Sequence, residues 1–421
     1  MNKTIPVDAL KVGMYLAEPA YDNNGDLLIA EHITLTSQNQ IHQMQRAGVE
    51  LVLIDPEKGE DCDPGRELTP ESSAPQITIT KVKTPPSVGL IKPSGIHKPV
   101  LLDASAIKPA DFPEELERAD EIKKQATSIA RKCYEEARAG QAMDTEEAQG
   151  MVTEMIGSIF RNQFAFLSLA KLKEYDEYTF NHSVNVTTYT IAIAKGMGFD
   201  QGQLQDIGVS TFLHDVGKTK IPQRILNKPG KLDEEEWKVM KQHVRFGADL
   251  LIESGFSEEE SVVALQHHER YDGAGYLGGR KRDDIHLYAR IASICDVYDA
   301  MTAKRVYKPA LMPHLALALI YKGKETQFSP EIVMGFIKII GIYPIGSLVK
   351  LSSGEVGVVV SVNDEDLKRP KVSIVFSRRG IMKRQPIMID LEEERQSSII
   401  AALDPKEWKI RIEDFIHNVS V

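Results

Sequence analysis

Cysteine is scarce in this chain. Three residues in 421 (Cys62, Cys133 and Cys295) are scattered and show no CxxC spacing. A disulfide framework is therefore not expected, and a reducing cytoplasm is the expected compartment. Long apolar runs are missing too. No stretch approaches the roughly 18 apolar residues that a membrane-spanning helix requires. The longest candidate, Ile332 to Tyr343, is interrupted by Lys338 and reads as a buried helix followed by a turn. The opening MNKTIPVDALKVGMYLAEPA has no apolar h-region, so no signal peptide is expected. An excess of positive charge is also absent. A net charge of -10 argues against a binder of nucleic-acid polymers, which needs a basic face, but it allows a local basic pocket.

What is present is the composition of a globular chain, 42% hydrophobic and 27% charged, which argues against wholesale disorder. Its length calls for two or three domains. Residues 1–60 alternate short apolar runs with turns and read as a small α+β module. Asn24-Gly25 is a hairpin signal, a helix runs from Thr36 or Ser37 to Gly48, and ELVLID is a strand. Residues 61–113 hold nine of the 21 prolines and read as an extended linker, with a short strand at QITITKV. Residues 114–164 are strongly helical, as a hairpin packed on the catalytic domain or as a homodimer surface. Residues 165–342 read as an all-α catalytic bundle. Residues 343–421 turn β-rich, with a turn at Ser353-Gly354 and a short closing helix over 405–416, and read as a small appendage. The fold class is thus multidomain, with a helical core, a small α+β N-terminal module and a small β-rich C-terminal extension.

The chemistry lies in a spaced series of histidines and aspartates: His182, His214-Asp215, His243, His267-His268 and Asp296. Imidazole nitrogens and carboxylate oxygens suit divalent Fe, Mn, Ni or Zn. Adjacent His-Asp is useful where two metals sit close together, since a carboxylate can bridge them. The residues fall on at least four segments, which a helical core with inward-pointing side chains can hold. From an N-cap at Asp233 with Glu236 at N3, Trp237, Met240 and Val244 share one helical face, and His243 sits beside that stripe. Asp296 and Asp299 share a face three residues apart, so one can bind metal while the other meets substrate or a ligand histidine. The remaining histidines lack ligand partners at sensible spacing and read as structural or surface residues.

The text around these ligands is FLHDVGKTKIPQRILNKPGKLDEEEW, HHERYDGAGYLGG and DVYDAMTAKRVYK. Together it resembles the HD-GYP family, a branch of the HD phosphohydrolases that opens cyclic di-GMP. The resemblance runs from about Lys171 to about Pro313, with weaker similarity to about Leu391. LKVGMYLAE and GVELVLID resemble a domain of unknown function often fused ahead of it. The resemblance implies that His182, His214, Asp215, His243, His267, His268 and Asp296 bind two divalent metal ions, Fe or Mn, with Asp215 bridging. A bridging hydroxide would attack phosphorus in line with the ribose 3' oxygen. By the same resemblance Lys218 contacts the scissile phosphate, Arg305 and Lys308 hold the dinucleotide phosphates, and Tyr276 and Asp299 line the substrate pocket. The position of an extra glutamate found in three-metal relatives holds Tyr178, with Glu174 and Glu177 off that spacing.

The chain departs from the family at Leu277, where the name motif has proline, and at Val306 and Lys308, where proline and arginine are usual. The expected function is hydrolysis of cyclic di-GMP to linear pGpG and on to GMP. Hydrolysis of a hybrid cyclic dinucleotide would use the same site. Leu277 keeps open the alternative of a non-catalytic receptor or scaffold. Expected partners are cyclic di-GMP and signalling proteins such as diguanylate cyclases.

Overall fold

The computed structural model describes residues 3–17, 20–21, 27–29, 33–46, 49, 51–60, 107–170, 178–276, 278–303, 310–363, 365–410, 412 and 415. It forms two compact units, Met1–Ile91 and Lys92–Val421.

In the first unit, β1 (Lys3–Pro6), β2 (Tyr15–Leu16), β5 (Ile33–Thr34) and β6 (Leu51–Ile54) make a sheet in the order β1-β6-β2-β5. Two further strands, β3 (Ala20–Tyr21) and β4 (Leu27–Ile29), pair antiparallel. The Asn24-Gly25 turn lies outside the described residues. The helix α1 (Gln38–Arg46) sets buried Ile41 and Met44 against Ile5, Met14 and Ile54 of this small core. Gln40 Oε1 accepts from the backbone nitrogens of Thr36 and Ser37, which occupies donors ahead of the helix. The expected strand at QITITKV lies outside the described residues.

The second unit opens with a helical hairpin, α2 (Phe112–Ala139) and α3 (Thr145–Leu169). Proline in the first turn of α2, where its missing N–H costs nothing, starts the helix. Gly140, at φ 72°, closes it in the left-handed conformation that glycine adopts freely. Asp144 then caps α3 by accepting from Glu147 N. Inside α3 the backbone breaks at Asn162 (φ -160°, ψ 96°). Its side chain recaps the following turn, accepting from Phe164 N and Ala165 N, and donates to Ala110 O. The hairpin packs on α4 (Tyr178–Gly196) and α5 (Gln201–Phe212) within one shared core. Every residue of α4 from His182 to Ala194 is buried, which makes it the central helix of the bundle.

The bundle continues through α6 (Gln223–Leu226), α7 (Glu234–Lys241), α8 (His243–Glu253) and α9 (Glu258–Gln266). It closes with α10 (Leu287–Thr302), α11 (Pro313–Lys322) and α12 (Pro330–Ile340). Capping boxes at Asp200/Gln203, Asp233/Glu236 and Ser257/Glu260 start α5, α7 and α9. One expectation needs correcting here. The Trp237, Met240, Val244 stripe, expected on one helical face, is divided between two helices, and only Val244 of the three is buried. The helix breaks at Gln242, α8 begins at His243, and no residue of α7 is buried. Trp237 and Met240 of α7 line a cavity instead.

The C-terminal part is an antiparallel sheet of β7 (Leu348–Leu351), β8 (Val356–Ser361), β9 (Lys371–Phe376), β10 (Met382–Asp390) and β11 (Ile399–Leu403). Their order is β10-β9-β8-β7-β11. Both faces are covered: Val349, Val359 and Ile374 lie in one apolar cluster, and Val358, Val375 and Phe376 in another with Trp408. Residues 405–409 are turns, where a helix was expected; Pro405 follows the end of β11, and Lys409 at φ 53° is incompatible with a right-handed helix. The architecture is therefore multidomain: a helical core, an α+β N-terminal unit and a β-rich C-terminal region. Among the described residues, no helix is long and apolar enough to cross a membrane.

Candidate metal centre

Five segments of the helical bundle converge on one buried point. The helix α4 brings His182, and His214-Asp215 follow the end of α5 in a tight turn leading into a short 3-10 helix, Val216–Lys220. His243 is the first residue of α8, His267 caps α9 with His268 next to it, and Asp296 projects from α10. Three ligand sets have donor atoms within 4.8 Å of one another: His243, His267 and His268; His182, His214 and Asp296; and His214, Asp215 and His267. Asp215 stands between the others. Its Oδ1 lies 3.5 Å from His243 Nε2 and 3.7 Å from His267 Nε2, and its Oδ2 lies 3.5 Å from His214 Nε2.

Backbone carbonyls set the imidazole tautomers. Nδ1 of His214 donates to Thr211 O at 2.7 Å, that of His243 to Met240 O at 2.8 Å, and that of His267 to Val263 O at 2.8 Å. Each ring is thereby held with the proton on Nδ1 and the lone pair on Nε2. All three Nε2 atoms, and Asp215 Oδ1, are buried without a hydrogen-bond partner. Buried polar atoms in such a cluster need an occupant, because desolvation without compensation is costly. Neutral nitrogens and carboxylate oxygens facing one another are the donor set of a divalent metal site.

The electrostatics agree with neutral imidazoles. Burial pushes His214 down to about 4 and His243 down to about 3, and takes His268 well below its usual value. Burial opposes ionisation of Asp215, but Lys218 and the surrounding histidines outweigh it and hold the carboxyl well below the usual range. His182 goes the other way. Burial acts against its charge, yet Asp296 at 3.1 Å and Asp299 at 2.8 Å raise it to about 9. A metal taking His182 Nε2 would displace that proton.

Of the two stations expected for Asp299, substrate or a ligand histidine, it takes the second, and it does not line the cavity where the resemblance placed it. It is 1% exposed, and its Oδ2 holds His182 Nδ1 while its Oδ1 accepts from Asn185 Nδ2 at 3.2 Å. It therefore orients a ligand histidine. Asn185 was missed in the sequence, although it lies one helical turn beyond His182.

Two glycines of the motifs are explained by close approach. A Cβ on Gly217 would lie 1.9 Å from His243 O and 2.4 Å from Gly247 N. A Cβ on Gly275 would lie 2.5 Å from Glu269 Cα and 2.7 Å from His268 O. Both contacts press motif backbone directly against a ligand-bearing segment.

A cavity of about 670 Å³ opens over the cluster and is lined by His182, Asp215, His243, His268 and Asp296 at its metal-binding side. Lys218, Tyr276 and Trp237 form more of the wall, and Tyr134 and Arg138 come from α2. Lys218 donates to Asp215 Oδ2 at 2.5 Å. Tyr276 packs on the His268 ring at 4.5 Å, and burial pushes its phenol up to about 12. The α2 residues had no signal in the sequence, because only packing brings that helix here. Arg305, Lys308 and Leu277 lie outside the described residues, as do Glu174 and Glu177. Both described cysteines, Cys133 and Cys295, are buried and belong to none of the three sets, with thiols pushed up to about 12 by burial.

Residues 166–332 match the HD domain, residues 2–148 a domain of unknown function, and residues 348–411 a KOW domain associated with the HD domain. Together with the site, this defines the class, and the chain belongs to the HD-GYP branch of the HD domain family, as a phosphoric diester hydrolase. It is 33% identical over 421 residues to a cyclic di-GMP phosphodiesterase of Pseudomonas aeruginosa, covering 98% of this chain and 94% of that protein. It is 40% identical over 148 residues to a cyclic di-GMP phosphodiesterase response regulator of Xanthomonas campestris pv. campestris, covering 35% of this chain and 39% of that one. A 3'3'-cGAMP-specific phosphodiesterase of Vibrio cholerae is 34% identical over 167 residues, covering 40% of this chain and 36% of that one.

Proposed function

We propose that this chain is a metal-dependent phosphodiesterase that opens cyclic di-GMP to linear pGpG, with GMP as a further product. The observation that carries this reading is the convergence of buried, unpartnered imidazole nitrogens and Asp215 on the floor of an open cavity. His182, His214 and Asp296 would hold one divalent ion, and His243, His267 and His268 a second, with Asp215 shared between them. Fe and Mn suit these donors. When bound, such a pair supplies a water activated at neutral pH and positive charge for the phosphoryl oxygens.

The protein's own residues do the rest. Burial keeps His214 and His243 neutral, and the carbonyls of Thr211, Met240 and Val263 hold the imidazoles aimed at the site. Lys218, 32% exposed and on the cavity wall, meets a phosphoryl oxygen while keeping Asp215 ionised. Preorganised positive charge at this point favours the more negative transition state over the ground state. Tyr276 walls the cavity beside His268 and packs against the substrate. The relatives' names support a cyclic dinucleotide as the substrate class.

The test is turnover of cyclic di-GMP by protein purified anaerobically, with metal content measured on the same sample and Fe or Mn resupplied. Formation of linear pGpG, abolished in a His214→Ala/Asp215→Ala double variant that keeps its fold, supports the reading. A fully metallated protein that binds the dinucleotide without cutting it would instead be a receptor.

A further inference from the structure

Trp237 is a large aromatic residue that folding alone does not explain. It is 41% exposed, on a helix with no buried residue. Yet α7 is firmly placed. A capping box starts it, Lys228 pairs with Glu236, and Met240 O receives the Nδ1 proton of His243. The helix therefore holds the indole in a fixed position on the cavity wall. The aromatic rings run outward from the metal cluster in sequence. His268 packs on Tyr276 at 4.5 Å, and Tyr276 meets Trp237 edge-to-face at 5.8 Å and 83°. Lys241 Nζ sits over both rings, 5.3 Å from the Tyr276 centroid and 5.8 Å from that of Trp237.

We propose that Trp237, backed by Tyr276 and Lys241, is a nucleobase-stacking subsite of this cavity. The proposal rests on the phosphodiesterase reading above. A phosphodiester seated at the cluster extends through its ribose to a base, and the indole stands one ring beyond the wall of the metal site. An exposed aromatic face with a neighbouring cation suits a purine attached to a phosphate. Stacking is sequence-tolerant, so the subsite supplies affinity for a base without reading its Watson–Crick edge.

The probes are GMP and ribose 5-phosphate, in which the anomeric hydroxyl stands in place of guanine, and neither contains a diester to cut. The full-length, metal-loaded chain carries Trp408→Phe, because Trp237 and Trp408 are the two tryptophans and Trp408 packs on Phe376 at 4.8 Å in the C-terminal region. GMP should quench the remaining emission saturably, and ribose 5-phosphate should not. By calorimetry, Trp237→Ala should raise the Kd for GMP about tenfold, the order that one lost stacking contact produces, while Trp237→Phe restores most of the affinity. The Kd for ribose 5-phosphate should not move. GMP binding with unmoved emission, or with equal Kd in Trp237→Ala, overturns the subsite. Cyclic di-GMP turnover on the same sample separates the two readings. Turnover without quenching sinks the subsite alone, and quenching by GMP without turnover keeps the subsite and discards the substrate.

Discussion

Asp299 Oδ2 lies 2.8 Å from His182 Nδ1, which makes this carboxylate the partner that orients a ligand imidazole from α10 across to α4. It differs from the other orienting groups, which are backbone carbonyls, because it can be replaced. Asp299→Asn keeps an acceptor oxygen but removes the charge, and should weaken metal binding about tenfold. Asp299→Ala removes both and should weaken it about a hundredfold. Competition against a metal chelator measures the two values. Equal affinities for wild type and Asp299→Ala would remove Asp299 from the site.

Lys218 lines the cavity and donates to Asp215 Oδ2, and under the proposed function it also meets phosphate. Lys218→Met should lower kcat for cyclic di-GMP by roughly a hundredfold, the order expected for loss of one preorganised charge at a reacting group. Metal content should stay at the wild-type level, because the ligands are intact. Loss of metal together with activity would instead make Lys218 a support for Asp215.

Gly217 sits against the first turn of α8. Gly217→Ala would push a methyl group into His243 O and Gly247 N, where only backbone can give way. The 3-10 helix and α8 would have to separate, and Asp215 and His243 would move apart with them. A loss of several degrees in Tm and a weakened metal site are expected together, read by thermal unfolding and metal titration.

Asp206 on α5 provides the pH dependence. Burial, reinforced by Glu260, Glu259 and Asp200, pushes its carboxyl up to about 6 from the usual 3.8. The folded chain thus binds this proton more tightly than the unfolded chain. Its contribution to stability is full below about pH 4 and is lost as pH rises through 6. Asp206→Asn should therefore melt above wild type at pH 7 to 8, with the advantage vanishing below pH 4. Thermal unfolding across that window decides it, and a constant difference at every pH would show that the charge is not responsible.

The candidate ligands could be picked out in the sequence because metal ligation depends on residue type and few side chains can do it, and the fold brings these histidines and aspartates together. The glycines of HDVGK and DGAGY stood out as motif letters, but their reason, backbone pressed on backbone, appears only in the packing. The groups that fix the tautomers could not be read at all, since Thr211, Met240 and Val263 act through carbonyls that every residue carries. Asp299 was expected at one of two stations, substrate or ligand histidine, and spacing alone could not choose. Trp237, Met240 and Val244 read as one helical face because their spacing carries no sign of the helix boundary at Gln242. Tyr134 and Arg138 escaped notice because their helix precedes the ligand series and reaches the cavity only through the folded hairpin.

Tyr134 also bonds Ser183 on α4 at 3.2 Å, beside His182. The helical hairpin, expected to pack on the bundle or to form a homodimer surface, thus also forms part of the cavity wall. A transplant limited to residues 166–332, the stretch matching the HD domain, would carry every described ligand but arrive with one wall missing and an apolar seam open to water. Natural fusions and engineered chimaeras of this chain should accordingly be jointed ahead of Phe112, not at the first histidine.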